Sequence, residues 1–362
     1  MKTLRRTLAL VLGLGLLGWI TAGFAEEQKP AEKETPKSEI RHTIELKYAQ
    51  GEKIGVDKNT GENLNIKGKI RMLIDTGAEE AQSQNMDLEM DGSESSTTKY
   101  EEEILEVSVK GEVNKVKREY FKDECKKKSK TTMEMMGQEQ APQETQSNEA
   151  SQLSGKTIIL ERDGKEIKVK IKDSKEKLKE AIEKSLEIDD PVKFILPKEP
   201  VKTGDKWQID PDEGWKLFAM GTTDTEIMKQ MKFVDFVSEC TLKEVSQNGQ
   251  AESARIAIKG TMKCEVDDLK AVLGDKGDED KVNPLKGMVG SMTLTIKFSG
   301  ELLFDITNGR PLSLEINQDD VKGFVEGEGA MKQQGISIDL EMRMKCKGDA
   351  KSVTTYKYAK EK

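Results

Sequence analysis

Between Ser291 and Lys347 apolar and polar side chains alternate along the chain. Apolar residues occupy every second position in Met292–Ile306, Leu312–Ile316 and Ile336–Cys346, and most positions between them carry Thr, Ser, Asp, Glu, Lys or Arg. A period of two predicts strands with one buried face and one wet face. Asn308-Gly309 offers the positive φ angles that a tight hairpin turn requires. We therefore predict a twisted antiparallel meander as the centre of the fold.

Shorter alternating runs predict further strands in both halves of the chain. They are Ile40–Tyr48, Leu64–Ile74, Met86–Met90, Ile104–Val109, Val113–Phe121, Ile227–Val245, Ala254–Val266 and Ser352–Tyr358. Thr157–Ile171 predicts a hairpin because two runs meet at Asp163-Gly164, the dipeptide that a type I′ turn prefers. The glycine-rich stretch Gly323–Gly335 predicts a break within the meander.

One segment has the pattern of a long helix. Its apolar positions are spaced by four residues, at Leu178, Ile182 and Leu186. Asp173 or Ser174 is a suitable N-cap, and Pro191 follows the end of the pattern. Short helices are also expected at Pro211–Met220 and Asp267–Leu273. The predicted fold class is α+β, mostly β: an extended antiparallel sheet, open, curved or barrel-like, with one main helix at about 173–187.

Composition divides the chain into five parts. They are a signal peptide (1–25), a disordered leader (26–39), an N-terminal β-rich half (40–137), a mobile linker or loop (138–153), and a hairpin, helix and C-terminal meander (154–362). The leader is rich in Lys, Glu and Pro, and the linker is rich in Gln, Glu and Ser, which are compositions that bury little apolar surface.

The first 25 residues have the pattern of an export signal. Lys2, Arg5 and Arg6 precede the apolar run Leu8–Ile20, and small residues at positions 23 and 25 favour cleavage before Glu26. The apolar run is short for a bilayer span, although an uncleaved anchor is the alternative. We therefore predict an exported protein of the periplasm or the extracellular space, with no transmembrane helix after signal removal.

Charge and composition limit the function classes. The formal net charge is −8, so removal of the three signal-peptide cations leaves 337 residues with −11. Such an acidic chain is a poor match for nucleic acid or for anionic membrane surfaces. Charged residues make up 35% of the chain and aromatic residues only 5%, which is typical of sheets buried on one face.

The segment Leu196-Pro-Lys-Glu-Pro-Val-Lys-Thr-Gly-Asp-Lys-Trp207 resembles a motif of an uncharacterised family of exported bacterial β-rich proteins. In that family the motif stands between two β-rich halves, and Phe304–Arg310 also fits its pattern. The resemblance implies a fold class and an export route, and no activity. Meanders with a helix laid across them are also similar in architecture to periplasmic lipoprotein-carrier proteins, whose curved sheet holds an acyl chain.

Asp75-Thr76-Gly77-Ala78 after a hydrophobic strand is similar to the active-site loop of retroviral-type aspartic peptidases. That chemistry needs two carboxylates sharing one proton, so a second copy of Asp75 from a dimer would be required. The polar run 79–85 and the poor glycine segment near Gly111 depart from the family pattern. A plain turn is the alternative interpretation.

Other chemical groups favour structural roles. His42 is expected on the apolar face of a strand, and no Gly-x-Ser-x-Gly nucleophile motif is present. Export permits disulfides among the four cysteines, Cys125, Cys240, Cys264 and Cys346. Strand counting separates Cys240 from Cys264 by roughly 27 Å, which is too far for a bridge, so buried free thiols are expected.

Neither metal nor cofactor is predicted. Asp275, Asp278, Glu279 and Asp280 lack the spacing of a calcium loop and predict a solvated acidic loop. Met342 and Met344 fall at core positions of a strand. The sequence thus predicts no catalytic residue.

The leading functional expectation is a non-enzymatic protein that binds a lipid or acyl chain, or another envelope component, on the apolar face of its sheet. The alternatives are an aspartic peptidase using Asp75 and a structural envelope protein.

Overall fold

The computed structural model describes residues 40–75, 82–135, 137–164, 166–214, 232–249, 251–267, 289–333 and 336–358. Within these ranges the protein is mostly β. The strands are β1 (Lys53–Asp75), β2 (Gln82–Val107), β3 (Val113–Met135), β4 (Gln138–Glu139), β5 (Gln143–Ala150), β6 (Thr157–Asp163), β7 (Glu166–Ile171), β8 (Lys206–Trp207), β9 (Lys232–Asn248), β10 (Ala251–Val266), β11 (Val289–Asp305), β12 (Arg310–Gln333) and β13 (Ile336–Tyr358).

All thirteen strands belong to one antiparallel sheet that is not closed. Its order is β7-β6-β3-β2-β1-β13-β12-β11-β10-β9-β8, and β4 and β5 pair with β3. β1 pairs with β13 along almost its whole length, from Ile54 opposite Tyr358 to Asp75 opposite Ser337. This pairing joins the two β-rich halves, so they share a single sheet.

Alternation along the strands produces one buried face, which we call the inner face, and one outer face. In β11, Ile296, Leu302 and Phe304 are at most 1% exposed. The predicted meander is thus confirmed, and Gly309 has the expected positive φ of +68° in the β11–β12 turn. The predicted Asp163-Gly164 hairpin is also present, with a φ of +64° at Gly164, and the turn between β9 and β10 has a φ of +66° at Gly249.

The prediction of one main helix at about 173–187 was wrong. Only Glu180–Ser185 is helical, here α1, and a 3-10 turn follows at Pro191–Phe194. Leu178 and Leu186 lie outside α1, and both are buried in extended chain. The apolar side chains that are spaced for one helical face are buried although most of them lie outside a helix. A helix as short as α1 has little stability of its own and depends on this packing. Pro211–Gly214 forms a second short helix, α2.

Two stretches contain strands although their compositions predicted a break in the meander and a mobile linker. β12 runs from Arg310 to Gln333 through the expected glycine break. Gly323 lies opposite Cys346, and a Cβ added to Gly323 would lie 2.2 Å from its Sγ, so glycine makes room for that thiol. The expected linker 138–153 contains β4 and β5, which pair with the outer edge of β3 through backbone hydrogen bonds that need no apolar pattern.

The segment 40–52, which predicted a first strand, is extended and makes only one isolated bridge, between His42 and Val201. Conversely, β1 and β2 run much further than their apolar patterns. Both continue through polar stretches, at 57–63 in β1 and 91–103 in β2. The polar side chains on the inner face of these stretches build the cavity described below.

We call residues 172–209 the covering segment, because it crosses the inner face. Leu186 and Ile188 pack in a hydrophobic cluster with Ile54 and Ile104, whereas the later residues of the segment pack in a larger cluster with β1, β2 and β9–β13. The later residues are Val192, Phe194, Ile195, Val201 and Ile209. The indole Nε1 of Trp207 donates to the carbonyl of Ile195 at 2.8 Å, which fixes the end of the segment. Among the described residues, no helix has the length and apolarity required to span a membrane.

Candidate ligand-binding cavity

Polar side chains occupy the middle of the inner face where β13, β1, β2 and β3 lie side by side. In sheet register they form successive cross-strand rows. These rows are Ala350–Glu62–Glu94–Lys127, Ser352–Thr60–Ser96–Cys125, Thr354–Lys58–Thr98–Asp123, Tyr356–Val56–Tyr100–Tyr120 and Tyr358–Ile54–Glu102–Arg118. The strands bring together residues that are up to 304 positions apart in the sequence, as Ile54 and Tyr358 are.

These rows form one wall of a cavity of about 820 Å³. The opposite wall comes from Gln152–Leu153 and from the part of the covering segment around α1, up to Pro191. The volume lies within the range of roughly 300–1,000 Å³ that is usual for small-molecule sites. The cavity therefore combines a suitable size with a lining of mixed aromatic and ionisable groups.

All five tyrosines of the chain line this cavity: Tyr48, Tyr100, Tyr120, Tyr356 and Tyr358. The Tyr100 and Tyr120 ring centroids are 5.2 Å apart, and the guanidinium carbon of Arg118 is 5.2 Å from the Tyr100 centroid. Burial is the main cause that raises the pKa of Tyr100 and Tyr120 above the usual value. The rings are therefore neutral hydrogen-bonding and aromatic groups at physiological pH.

Ion pairs fix several charged groups of the wall. Arg118 pairs with Glu102, and Lys127 Nζ lies 2.7 Å from Glu94 Oε2. The Cys125 thiol donates to Glu94 Oε1 at 3.0 Å. Burial, followed by the hydrogen bond to the Glu94 carboxylate, raises the pKa of Cys125 to about 12. Cys125 is therefore a protonated thiol in the cavity wall and not an activated nucleophile.

Two further groups of the β1 wall have strongly shifted pKa values. Desolvation, with the nearby Glu94 carboxylate, raises the pKa of Glu62 to about 9, and Glu62 Oε1 has no hydrogen-bond partner among the described residues. Desolvation lowers the pKa of Lys58 to about 8, although Asp123 acts in the opposite direction. A wall that holds ionisable groups away from their normal pKa is a feature of binding and active sites.

Asp190 belongs to the opposite wall and links it to the sheet. Its Oδ1 accepts hydrogen bonds from the Val192 amide at 2.9 Å and from the Tyr356 hydroxyl at 3.2 Å. Burial, as the dominant cause, raises the pKa of Asp190 to about 6. Its neighbour Asp189 is instead neutralised by Arg162 at 2.8 Å and by Lys193.

The outer face has a second depression of about 770 Å³ around Asn65, Asp91 and Asp349. Its lining combines lysine, acidic, amide and hydroxyl side chains, and none of its lining residues is aromatic. The tyrosine-lined cavity is consequently the stronger candidate for a ligand site.

The groups that the sequence singled out lie elsewhere. Asp75 is exposed at the end of β1, outside the cavity lining, and Thr76–Ala78 are outside the described residues. His42 Nδ1 lies 3.6 Å from Glu252 Oε2 in a mostly buried position, as a structural histidine does. The peptidase interpretation of Asp75 stays a prediction.

The cysteines and methionines have structural positions. None of the four cysteines forms a disulfide, and Cys240 and Cys264 are buried. Met342 and Met344 lie in the core as expected. The acidic loop at Asp275–Asp280 lies outside the described residues, and no cluster of three or more His, Cys, Asp or Glu that could hold a metal occurs within the described ranges.

Sequence patterns did not identify the cavity because its residues are polar positions within strands. The available signal was the even-numbered phase of β1, in which Lys58, Thr60 and Glu62 continue the apolar phase of Leu64 and Ile66. The other signal was the spacing of tyrosines at Tyr356 and Tyr358, two residues apart on one strand face.

Comparisons with known proteins do not assign the chain to a family. No family model and no curated protein match it. The solved structures that it matches include the InvG secretin domain β-barrel from the Salmonella SPI-1 injectisome NC-base. That match has 5% identity and a TM-score of 0.14, and it covers 86% of this chain and 64% of that chain. The resemblance at Leu196–Trp207 to an uncharacterised exported family thus stays a prediction.

Proposed function

We propose that this chain is an exported, non-enzymatic ligand-binding protein, and that the tyrosine-lined cavity between the sheet and the covering segment holds the ligand. The observation that supports this most is that a cavity of about 820 Å³ contains all five tyrosines and a set of buried ionisable groups. Polar groups placed in a protein interior cost stability unless they are satisfied. A ligand that satisfies them gives a physical reason for this arrangement.

The apolar part of the inner face is less suited to a ligand. Residues of the covering segment such as Val192 and Ile195 pack there at 0% exposure, against β9–β13. An acyl chain would have to displace these side chains, whereas the polar cavity is already open. We therefore place the ligand among the tyrosines and charged groups, and we regard a bare acyl chain as the less favoured occupant.

The contacts among the described residues of the cavity wall support a binding role over catalysis. In the cavity wall, Cys125 is held as a thiol by Glu94, and Arg118 and Lys127 are committed to ion pairs. These contacts position the side chains for recognition and give no nucleophile paired with a general base.

Native mass spectrometry of the purified mature chain tests the proposal, because a retained ligand adds a defined mass that organic extraction removes. A cavity-filling variant, Ser96→Trp, is expected to lose that mass. Ser95→Trp is the matched control, since Ser95 is the preceding residue of β2 and is exposed on the outer face. If both variants retain the ligand equally, the ligand is bound elsewhere; a protein that never contains or takes up a small molecule favours a structural envelope role.

A further inference from the structure

The charges around the cavity are unbalanced. Nine acidic residues and four basic residues line it. The acidic residues are Glu62, Glu94, Glu102, Asp123, Glu124, Glu149, Glu187, Asp189 and Asp190, and the basic residues are Lys58, Arg118, Lys127 and Lys179. The lining therefore has a formal excess of five negative groups.

The basic groups of the wall already have acidic partners. Arg118 forms an ion pair with Glu102, and Lys127 forms one with Glu94. The charge of Lys58 interacts favourably with Asp123. The carboxyl groups of Glu62 and Asp190 differ from these paired groups. Neither has a Lys or Arg within ion-pair distance among the described residues, and both pKa values are raised, to about 9 and about 6. Burial thus disfavours the charged form of both carboxyl groups, and a cation bound beside them would stabilise that form.

Unsatisfied hydrogen-bond acceptors accompany the carboxyl groups. Gln318 continues the row of Glu62 across Ala350, and it is 0% exposed. Neither its Oε1 nor its Nε2 has a partner among the described residues, and the same is true of Glu62 Oε1. Gln318 lies outside the cavity lining, whereas Glu62 belongs to it. The unpartnered Glu62 Oε1 is thus a buried acceptor that suits a ligand donating N–H hydrogen bonds.

The tyrosines supply aromatic faces that can bind a cation. The negative faces of aromatic rings attract cations within about 6 Å. This wall already shows such a contact in Arg118 over Tyr100, and Arg310 lies 5.0 Å from the centroid of Tyr358. The rows of Tyr356 and Tyr358 lie at the Asp190 end of the cavity, so a cation bound at that end would lie near several such rings.

Resting on the proposed ligand-binding function, we propose that the ligand is an organic cation with protonated amines, held by Asp190 at one end of the cavity and by Glu62 at the other. The row of Tyr356, over which Asp190 lies, and the row of Glu62 are six residues apart along β1, or about 20 Å. An elongated amine therefore fits better than a compact one.

Three molecules of one length that differ only in their end groups test the charge requirement. They are 1,10-diaminodecane, 1,10-decanediol and decanedioate, chosen so that the extended diamine can reach both carboxyl groups, and each is titrated into the full mature chain by isothermal titration calorimetry at pH 7.5. We expect the diamine to bind at least tenfold more tightly than the diol, and the dianion not to bind. Asp190→Asn and Glu62→Gln should each weaken diamine binding about tenfold. The charge-matched control Glu101→Gln, on the outer face and paired with Lys53, should leave it unchanged.

Proton release gives an independent readout. At pH 7.5 Glu62, with a pKa of about 9, is mostly protonated, whereas Asp190, with a pKa of about 6, is mostly ionised. Diamine binding should therefore release a proton from Glu62, so the measured heat should depend on the ionisation enthalpy of the buffer. This dependence should disappear in Glu62→Gln and persist in Asp190→Asn. Equal or tighter binding of the diol or the dianion overturns the amine inference but supports a ligand-binding cavity. No saturable diamine binding also overturns the amine inference. The proposed function is judged separately, by the bound mass and by the difference between Ser96→Trp and Ser95→Trp.

Discussion

The Tyr356 hydroxyl donates a hydrogen bond to Asp190 Oδ1 at 3.2 Å, across the cavity from β13 to the covering segment. Asp190 also faces Tyr48, Tyr358, Glu102 and Arg118, whose charges or hydroxyls interact with its carboxyl group. This single contact joins a residue near the C-terminus to the segment that closes the cavity, so it links stability to the geometry of the site.

Tyr356→Phe should cost about 1 kcal/mol of unfolding free energy, because one partly buried hydrogen bond is lost. It should also raise the pKa of Asp190 further, since the donated hydrogen bond favours the carboxylate. Urea unfolding measures the first effect, and a ¹³C titration of the Asp190 carboxyl measures the second. Tyr358→Phe is the control for the pKa measurement, because the Tyr358 hydroxyl donates to the Pro311 carbonyl and not to Asp190. An unchanged Asp190 pKa in Tyr356→Phe would contradict the contact.

Glu62→Gln should stabilise the protein increasingly as the pH rises from about 4.5 to about 9. The folded pKa of Glu62 is raised to about 9, so the folded state holds more protons than the unfolded state within this window. Stability of the native chain therefore falls with rising pH, and a neutral glutamine removes that loss. We expect a gain of roughly 1–3 kcal/mol at pH 8 and almost none at pH 4, measured by denaturant unfolding at each pH.

Glu89→Gln is the control for this pH profile. Glu89 is exposed, and its hydrogen bond from Lys67 lowers its pKa. The substitution should therefore have the opposite sign, a small loss at neutral pH that disappears in acid. Parallel profiles for the two variants would show that Glu62 is not held in a desolvated site.

Apolar alternation was sufficient to predict the meander, because most inner positions of β11 and of Ile336–Cys346 in β13 are apolar and most outer positions are polar. The same criterion underestimated β1, whose inner face continues through Lys58 and Glu62. It overestimated the helix, because Leu178 and Leu186 reach the sheet from extended chain. Local patterns report burial at a position and do not report which element buries it.

The candidate site could not be predicted because its residues are brought together only by strand register. Glu62, Glu94 and Lys127 are about 30 residues apart in sequence and form one row, and that row depends on long pairings with no apolar signature. Lys127 lies in the charge run Lys126–Lys130, whose composition is typical of a solvated surface, yet alternation turns Lys127 towards Glu94. The sequence identifies such residues only after the sheet is known.

Gly260→Ala should destabilise the protein by roughly 1–3 kcal/mol, because a Cβ there would meet the Val237 carbonyl oxygen at 2.3 Å and the Phe298 ring at 2.4 Å. The backbone oxygen cannot move without disturbing the pairing of β9 with β10. Gly92→Ala is the matched control, since the nearest atoms to its added Cβ are 3.9 Å away. It should be neutral or slightly stabilising. Equal melting temperatures for the two variants would contradict the close packing at Gly260.

Thiol labelling should report occupancy of the cavity. The pKa values of Cys125, Cys240 and Cys264 are each raised to about 12, mainly by burial, so at pH 8 all three should react with iodoacetamide at least about 100-fold more slowly than in the unfolded chain. Cys125 lies in the cavity wall and is partly accessible, so it should react before Cys240 and Cys264. A ligand in the cavity should slow Cys125 further and leave the other two unchanged.

Glu94→Gln provides the control for the chemistry. The Glu94 carboxylate accepts the Cys125 thiol hydrogen and repels a thiolate, so its removal should lower the pKa of Cys125 and speed its alkylation. Peptide mass spectrometry of timed alkylation identifies each site. The cavity gives reagents access to Cys125, whereas Cys240 and Cys264 are buried in the core. If Cys240 reacts first, or if a tightly bound ligand leaves the alkylation rate of Cys125 unchanged, then the cavity wall is not arranged as described.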